Sequence, residues 1–478
     1  MTGNVFELTD LGFKELKGIH KPTRAFLAAG EQQLESRFAA RLSRQLSHFA
    51  GRQHELALVQ ERWHRACQSE GQVVLLLGEA GIGKSRMARE LISSLAGDAY
   101  TRITYQWSPY HADSVFYPVV QKLIQGAQIN NNDDVDTRLC KIENLLEELA
   151  TPESVALIAN LLNVDTQEKL PDLELSPAEI KVRTFDLLFR MLFSLSDSQP
   201  VLFVLEYLHW IDPTTLNLVN QVISQLAHRQ ILLLISSRPV SREQLSASPL
   251  VTRLTLGRIS REQAFTMITD ITRGKTLPDE VFEEILTRTD GIPLFIEELC
   301  KSLLESGELK ENDTSYELTG TLDNLTISAT LQDSLMARLD RLQSVNEVAQ
   351  IAACIGREFS TGLLASVCKL NAEDLQYALD QLVEAELLYN RGTEQQQSYI
   401  FKHALLRDAA YEILLRSRRQ SIHSDLAHRL LETSGSQPEI IAYHAIQAGL
   451  TDIALRYLQL AGQHATSRSA FTEAISHY

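Results

Sequence analysis

No apolar run in this 478-residue chain approaches the ~20 residues that a helix needs to cross a bilayer. Cysteine is sparse: Cys67, Cys140, Cys300, Cys354 and Cys368 are odd in number and scattered. That spacing gives neither a disulfide framework nor the paired ligands of a zinc site, so the thiols are expected as core residues in a reducing compartment. The opening residues show no charged-then-apolar leader, and a cytoplasmic chain is expected. Cations are in deficit, with 45 Lys and Arg against 61 Asp and Glu and a net charge of −16. Such a balance disfavours general attraction to nucleic acid or to an anionic membrane. One basic cluster, Arg416-Ser417-Arg418-Arg419, sits in a helical pattern and reads as a solvated or partner-facing side rather than a DNA contact. Apolar residues, at 44%, are plentiful enough for several separate cores.

The pattern changes along the chain. Residues 1–31 read as extended segments around a turn at Gly12, too small a hairpin to fold alone. They are expected to be the end of a domain whose body precedes them, with residues 32–50 as a polar, helix-prone linker. Over 51–257, short apolar runs at 73–77, 104–107, 201–205, 231–235 and 253–256 alternate with helical stretches, as in a parallel sheet with crossover helices. A long insertion at 110–198 is mostly helical by pattern. Residues 258–325 read as an all-helical unit, with helices at 261–272, 279–289 and 294–306. Helices at 331–342, 345–355 and 372–385, then a hairpin at 387–390 and 399–402, suggest a winged helix over 326–403. Residues 404–478 are helical, and from 440 onward resemble the start of a helical-hairpin repeat array.

The most informative string is Gly78-Glu79-Ala80-Gly81-Ile82-Gly83-Lys84-Ser85, placed between an apolar run and a helical stretch. Its spacing is that of a phosphate-binding loop. Gly78, Gly81 and Gly83 let backbone N–H groups turn toward a polyphosphate, and the helix N-terminus adds partial positive charge. Lys84 is expected to reach the β- and γ-phosphates, and Ser85 to offer its hydroxyl to Mg²⁺. The run 201–205 ends in Glu206, the candidate second Mg²⁺ group. Tyr207 follows, where an acid that polarises attacking water often stands. A phenol is a poor base near neutrality, so nucleotide binding is expected but turnover is in question, with Asp212 the alternative acid. Trp210 and His209 either pack the turn or act in the site. Arg238, at the end of the run 231–235, either contacts a γ-phosphate or forms a structural ion pair.

These strings together resemble a known class. GRQHEL (51–56), GEAGIGKS (78–85), LEYLHWID (205–212), SSRP (236–239) and GIPLFIEEL (291–299) look like the STAND class of AAA-related signalling ATPases. The branch they resemble is found in proteins that also carry class III adenylate/guanylate cyclase domains. The resemblance covers nearly the whole chain. ARLDRL (337–342), Gly356-Arg357-Glu358-Phe359 and FKHALLRDAAYEILL (401–415) are similar to its winged-helix region and the helices that follow. The tail resembles its tetratricopeptide-like repeats.

The resemblance implies an α/β P-loop NTPase with a parallel sheet, then an all-α lid, a winged helix and the start of helical repeats. It implies that Gly51, Arg52 and Glu55 lie near the adenine, that Pro293 of a G-x-P motif touches the base, and that Arg238 is a sensor arginine. His403 matches a histidine that contacts the β-phosphate of ADP, although Ala404 stands where an aspartate usually follows. Tyr207 replaces the usual aspartate after Glu206, and Gln53 the usual glutamate. Residues 6–12 and 16–19 resemble the last strands of a cyclase domain whose metal-binding and transition-state residues lie upstream, so this chain is expected to make no cyclic nucleotide. The function implied is an ATP/ADP- and Mg²⁺-dependent switch, at most a slow ATPase, that controls a fused cyclase in its parent and meets a protein partner through the repeats. The rivals are a continuously hydrolysing ATPase, a nucleotide-free scaffold and a DNA-binding regulator.

Overall fold

Apolar runs buried on both faces become the middle of a five-stranded parallel sheet. In the computed structural model these strands are β3 (Gln72–Leu77), β4 (Thr101–Gln106), β5 (Val201–Glu206), β6 (Ile231–Ser237) and β7 (Val251–Thr255), in the order β4-β5-β6-β3-β7. An antiparallel hairpin, β1 (Phe6–Lys14) and β2 (Thr23–Glu31), precedes them. The structure describes residues 6–14, 23–31, 51–108, 114–130, 133–164, 166, 169–170, 173–239, 245, 248–306, 308–319, 339, 345–385, 387–391, 397–402, 404–433, 437–468 and 470–477. His403, and the 331–342 helix apart from Leu339, lie outside them.

Alternate residues of the strands feed two cores. Val74, Leu76, Val204 and Leu234 pack with Trp63 of α1 (Gln53–Cys67) and Met87 and Leu91 of α2 (Lys84–Ser94). Val73, Leu75, Phe203, Leu205 and Ile235 face the insertion, whose helices are α3 (Tyr117–Gly126), α4 (Val135–Leu146), α5 (Pro152–Leu161) and α6 (Pro177–Ser198). Strand β4 starts three residues before the expected run. It is an edge strand, half-buried throughout, so apolar content alone understates it.

The next unit holds α8 (Arg261–Ile271), α9 (Asp279–Thr289) and α10 (Pro293–Glu305); α7 (Pro213–Gln225) belongs to the sheet domain. The expectation of an all-helical lid fails at one place. Strands β8 (Leu309–Glu311) and β9 (Tyr316–Leu318) form a hairpin, and Leu309, Tyr316 and Leu318 cover the lid core. Three residues per strand are too few for periodicity to reveal. Beyond the lid come α11 (Asn346–Ile355), β10 (Glu358–Ser360), α12 (Thr361–Val367), α13 (Ala372–Glu384) and a hairpin, β11 (Leu388–Arg391) with β12 (Ser398–Phe401). Strand β10 adds to the far side of β12, an addition the sequence reading lacked. Helices α14 (Ala404–Ile413), α15 (Arg416–Glu432), α16 (Pro438–Ala448), α17 (Thr451–Ser467) and α18 (Phe471–His477) complete the chain. In the basic cluster of α15, Arg416, Ser417 and Arg418 are exposed, with Arg418 forming a surface pair with Glu347, while the half-buried Arg419 covers the Tyr411 ring.

The tail returns to the sheet domain, where Arg468 donates to Val115 O and Ala465, Ala470 and Ala474 join the insertion core, and it also meets one helix end. Asp212 caps α7, its Oδ1 accepting from Thr215 N at 2.8 Å and its Oδ2 from Thr215 Oγ1 at 2.6 Å. Glu473 of α18 accepts from Thr214 N at 2.8 Å and from Thr214 Oγ1 at 3.0 Å. Two carboxylates thus satisfy the free N–H groups of one helix N-terminus. Asp212 is 0% exposed, so the alternative water-activating acid is, in this structure, a buried helix cap with both oxygens engaged.

Burial, with the charge of Glu473 adding to it, raises the Asp212 pKa to about 7. The folded state therefore keeps a proton that the unfolded chain sheds above about pH 4, and stability is lost as pH rises from about 4 through 7. Asp212→Asn keeps the cap but not the titration. The melting temperature of the variant relative to the parent is expected to rise between about pH 5 and pH 8; a constant difference would show that Asp212 titrates normally.

Candidate functional site

The carboxyl ends of β3, β5 and β6 meet at one edge of the sheet, where α/β folds bind ligands. The loop after β3 runs through Gly78, Gly81 and Gly83 into α2, which begins at Lys84 with Ser85 in its first turn. Gly81, at φ +79°, combines a left-handed backbone with close neighbours. A Cβ there would lie 3.1 Å from Leu294 Cβ and 3.2 Å from Ile292 Cγ2. Leu294 N donates to Gly81 O at 3.2 Å. The first turn of α10, with Pro293 as its first residue, therefore rests on the phosphate-loop motif itself. Arg258 braces the same contact, pairing with Asp290 and lying 3.7 Å from Glu79.

Lys84 is 8% exposed, and its Nζ donates to Gly78 O at 2.6 Å and Glu79 O at 2.8 Å. Burial, and then the charge of Arg238, lower its pKa to about 8. The same two causes, with Lys84 added, hold His209 at about 4, so that imidazole is neutral near pH 7. Neither ring nitrogen of His209 finds a hydrogen-bond partner among the described residues. Two cations and a neutral imidazole facing one region favour an anion there. Arg238 thus lies near enough to Lys84 for its charge to be felt there.

Glu206 ends β5, its Oε2 accepting from Gln106 Nε2 at 3.1 Å. Tyr207 follows in the left-handed region, φ +64°, its N–H donating to Ser236 Oγ at 3.2 Å. Arg238 lies over the Trp210 ring at 5.5 Å, and Trp210 is 5.5 Å from the Tyr207 ring. On its other side Tyr207 meets Arg357, whose guanidinium carbon is 4.9 Å from the ring centroid. Arg357 was not among the expected site residues. Its only sequence signal is the Gly356-Arg357-Glu358-Phe359 string, and its partner lies 150 residues away.

Arg52 is buried at the start of α1, pairing with Glu55 at 2.9 Å and donating to Gly257 O. Gly51 O accepts from Gln263 Nε2 at 2.7 Å. Arg52 therefore ties the start of the sheet domain to its end, and Gly51 ties it to the lid, instead of projecting a free guanidinium. Lys402, 5% exposed, reaches Glu297 of α10 at 3.5 Å. The neighbouring His403 lies outside the described residues. Asp408 of α14 feels Arg407, Arg238 and Arg357, but burial dominates and raises its pKa.

Residues 48–235 match the model of the AAA ATPase domain. An uncharacterized protein of Rhizobium meliloti (strain 1021) is 28% identical over 484 residues, spanning 99% of this chain and 46% of that protein. The chain thus covers about half the length of its curated relative. The crystal structure of a Signal Transduction ATPase with Numerous Domains (STAND) protein with a tetratricopeptide repeat sensor, from Pyrococcus horikoshii, aligns with a TM-score of 0.46 at 13% identity. That alignment covers 90% of this chain and 58% of the Pyrococcus chain. Residues 48–235 are thus similar to an AAA ATPase domain, and the strand order and loop give a P-loop NTPase fold with a helical tail.

Proposed function

We propose that the chain is a nucleotide-operated switch of the STAND kind, in which the lid senses the phosphate loop. The observation that carries this reading is the hydrogen bond from Leu294 N to Gly81 O. Any change in the loop that moves the Gly81 carbonyl also moves the start of α10. The loop and Lys84 would hold the diphosphate of ADP, Arg238 would meet the γ-phosphate of ATP, and Pro293 would lie at the base. Lys84 changes partners from the Gly78 and Glu79 carbonyls to phosphate oxygens, with no change in fold. The Ser85 hydroxyl and the Glu206 carboxylate are the hard oxygen donors that suit Mg²⁺, which would neutralise charge on the phosphates. His403 is proposed as the β-phosphate contact of the module that carries Lys402.

Linkage sets what such a switch can do. A nucleotide shifts the balance of closed and open states only by its difference in affinity for them. Going from mostly closed to mostly open takes about 5.5 kcal/mol of that difference. We read 326–403 as a winged helix, 404–478 as a helical region with the start of a repeat array for a protein partner, and 1–31 as the end of a cyclase domain. Control of a fused cyclase in a cytoplasmic parent follows as the proposed output. Lid 258–325, linker 32–50 and sheet domain 51–257 complete the proposed division.

The test is calorimetry with ADP and with ATP plus Mg²⁺, alongside a steady-state phosphate assay. Tight ADP binding with turnover well below about one per second supports a switch. Faster turnover, abolished in Lys84→Ala, would make the chain a continuous ATPase. Lys84→Ala is expected to weaken ADP binding on the order of 100-fold, through loss of charged hydrogen bonds. Tyr207→Asp restores an acid after Glu206 in a backbone region that Asp tolerates better than Tyr. Turnover is then expected to rise about tenfold or more; an unchanged rate would show that residue 207 does not limit hydrolysis.

A further inference from the structure

Tyr207 stands where an acid is expected after Glu206, and the structure gives its ring a different task. Its backbone is held at φ +64°, a region that strains a residue other than glycine and persists only where neighbours fix it. Two neighbours do so. Tyr207 N donates to Ser236 Oγ at 3.2 Å, and the ring packs on Trp210 with centroids 5.5 Å apart. The half-buried ring is thereby presented to Arg357 of the hairpin module, whose guanidinium carbon lies 4.9 Å from its centroid. Among the described residues Arg357 forms no ion pair, and the carboxylate that feels its charge, Asp408, pairs with Arg407 at 3.0 Å. The ring contact is thus an attraction in its own right, a cation over a π face. Arg357 is also held from behind. Its carbonyl accepts from Phe401 N at 2.9 Å, which ties it to β12, and the next residue, Lys402, meets Glu297 of the lid. One corner of the hairpin module therefore reaches the sheet domain through Arg357 and the lid through Lys402, the same two units that the Leu294–Gly81 contact joins.

We propose that Tyr207 is a docking ring for the hairpin module, and that Arg357 must leave it before the lid lifts to release nucleotide. Position 207 then serves coupling, where an acid would serve hydrolysis. Two attachments restrain the lid more than one, because each keeps the module close while the other opens. The docking contact stands on the geometry; its effect on nucleotide release rests on the switch reading.

The experiment compares the full chain with Tyr207→Leu, Tyr207→Phe, Arg357→Met and the variant that combines Tyr207→Leu with Arg357→Met. In the nucleotide-free protein, amide exchange over residues 356–360 reads docking from the far side of the contact. Tyr207→Leu is expected to speed that exchange, and Tyr207→Phe, which keeps the π face, to leave it at the parent rate. Release of N-methylanthraniloyl-ADP in stopped flow is expected to quicken about fivefold in Tyr207→Leu and in Arg357→Met, a factor within the range of one cation–π contact. The combined variant is expected to release no faster than either single one, because the two residues act as a unit. Exchange over 356–360 that ignores residue 207, a Phe variant that behaves as Leu does, or additive effects on release overturns the proposal. A parent chain that binds no ADP contradicts the switch reading instead, and the exchange measurement then decides the docking contact by itself.

Discussion

The backbone hydrogen bond from Leu294 N to Gly81 O is the contact on which the rest of this molecule's organisation turns. It exists because Gly81 has no side chain and a positive φ, which lets the first turn of α10 approach to van der Waals distance. Beneath it, Lys84 is buried and spends its protons on two loop carbonyls while Arg238 adds a second positive charge. Such a cluster is held by the fold and favours an anion, and the helix that rests on it is positioned to feel one.

The other modules approach the same edge by separate routes. Lys402 docks on Glu297 of the lid helix, Arg357 stacks on Tyr207 beyond Glu206, and Glu473 of the tail caps α7 beside Asp212. The three contacts differ in chemistry: a buried ion pair, a cation over a ring and a carboxylate at a helix end. Each ties a late segment of the chain to the turn or helix that adjoins the nucleotide loop. These contacts connect the loop edge with later segments, and the tail also meets the insertion through Arg468 and Val115.

Much of this was legible in the sequence where local chemistry dictates it. The spacing from Gly78 to Ser85 needs glycines and a lysine whatever surrounds them, and buried parallel strands must be continuously apolar. The three central strands, β3, β5 and β6, and Glu206 at the end of β5 followed from those two rules. What stayed hidden depends on distant partners. Asp212 read as a spare acid because sequence does not display burial; Asp-Pro before a helical run is also a capping signal, and that signal was the better guide. The β8–β9 hairpin is too short for periodicity. The stack of Arg357 on Tyr207, and the lone imidazole of His209, follow only from tertiary placement. The basic run at 416–419 is largely exposed, as a solvated helix side would be, and only its surface pairing of Arg418 with Glu347 depends on a distant partner.

The central claim is that the seat of α10 on the loop reports which phosphoryl tail the loop holds. Amide hydrogen exchange at Gly291, Ile292 and Leu294 measures that seat directly. The account predicts strong protection with ADP and faster exchange with a non-hydrolysable ATP analogue plus Mg²⁺. Equal protection in the two states, with both nucleotides demonstrably bound, would contradict it.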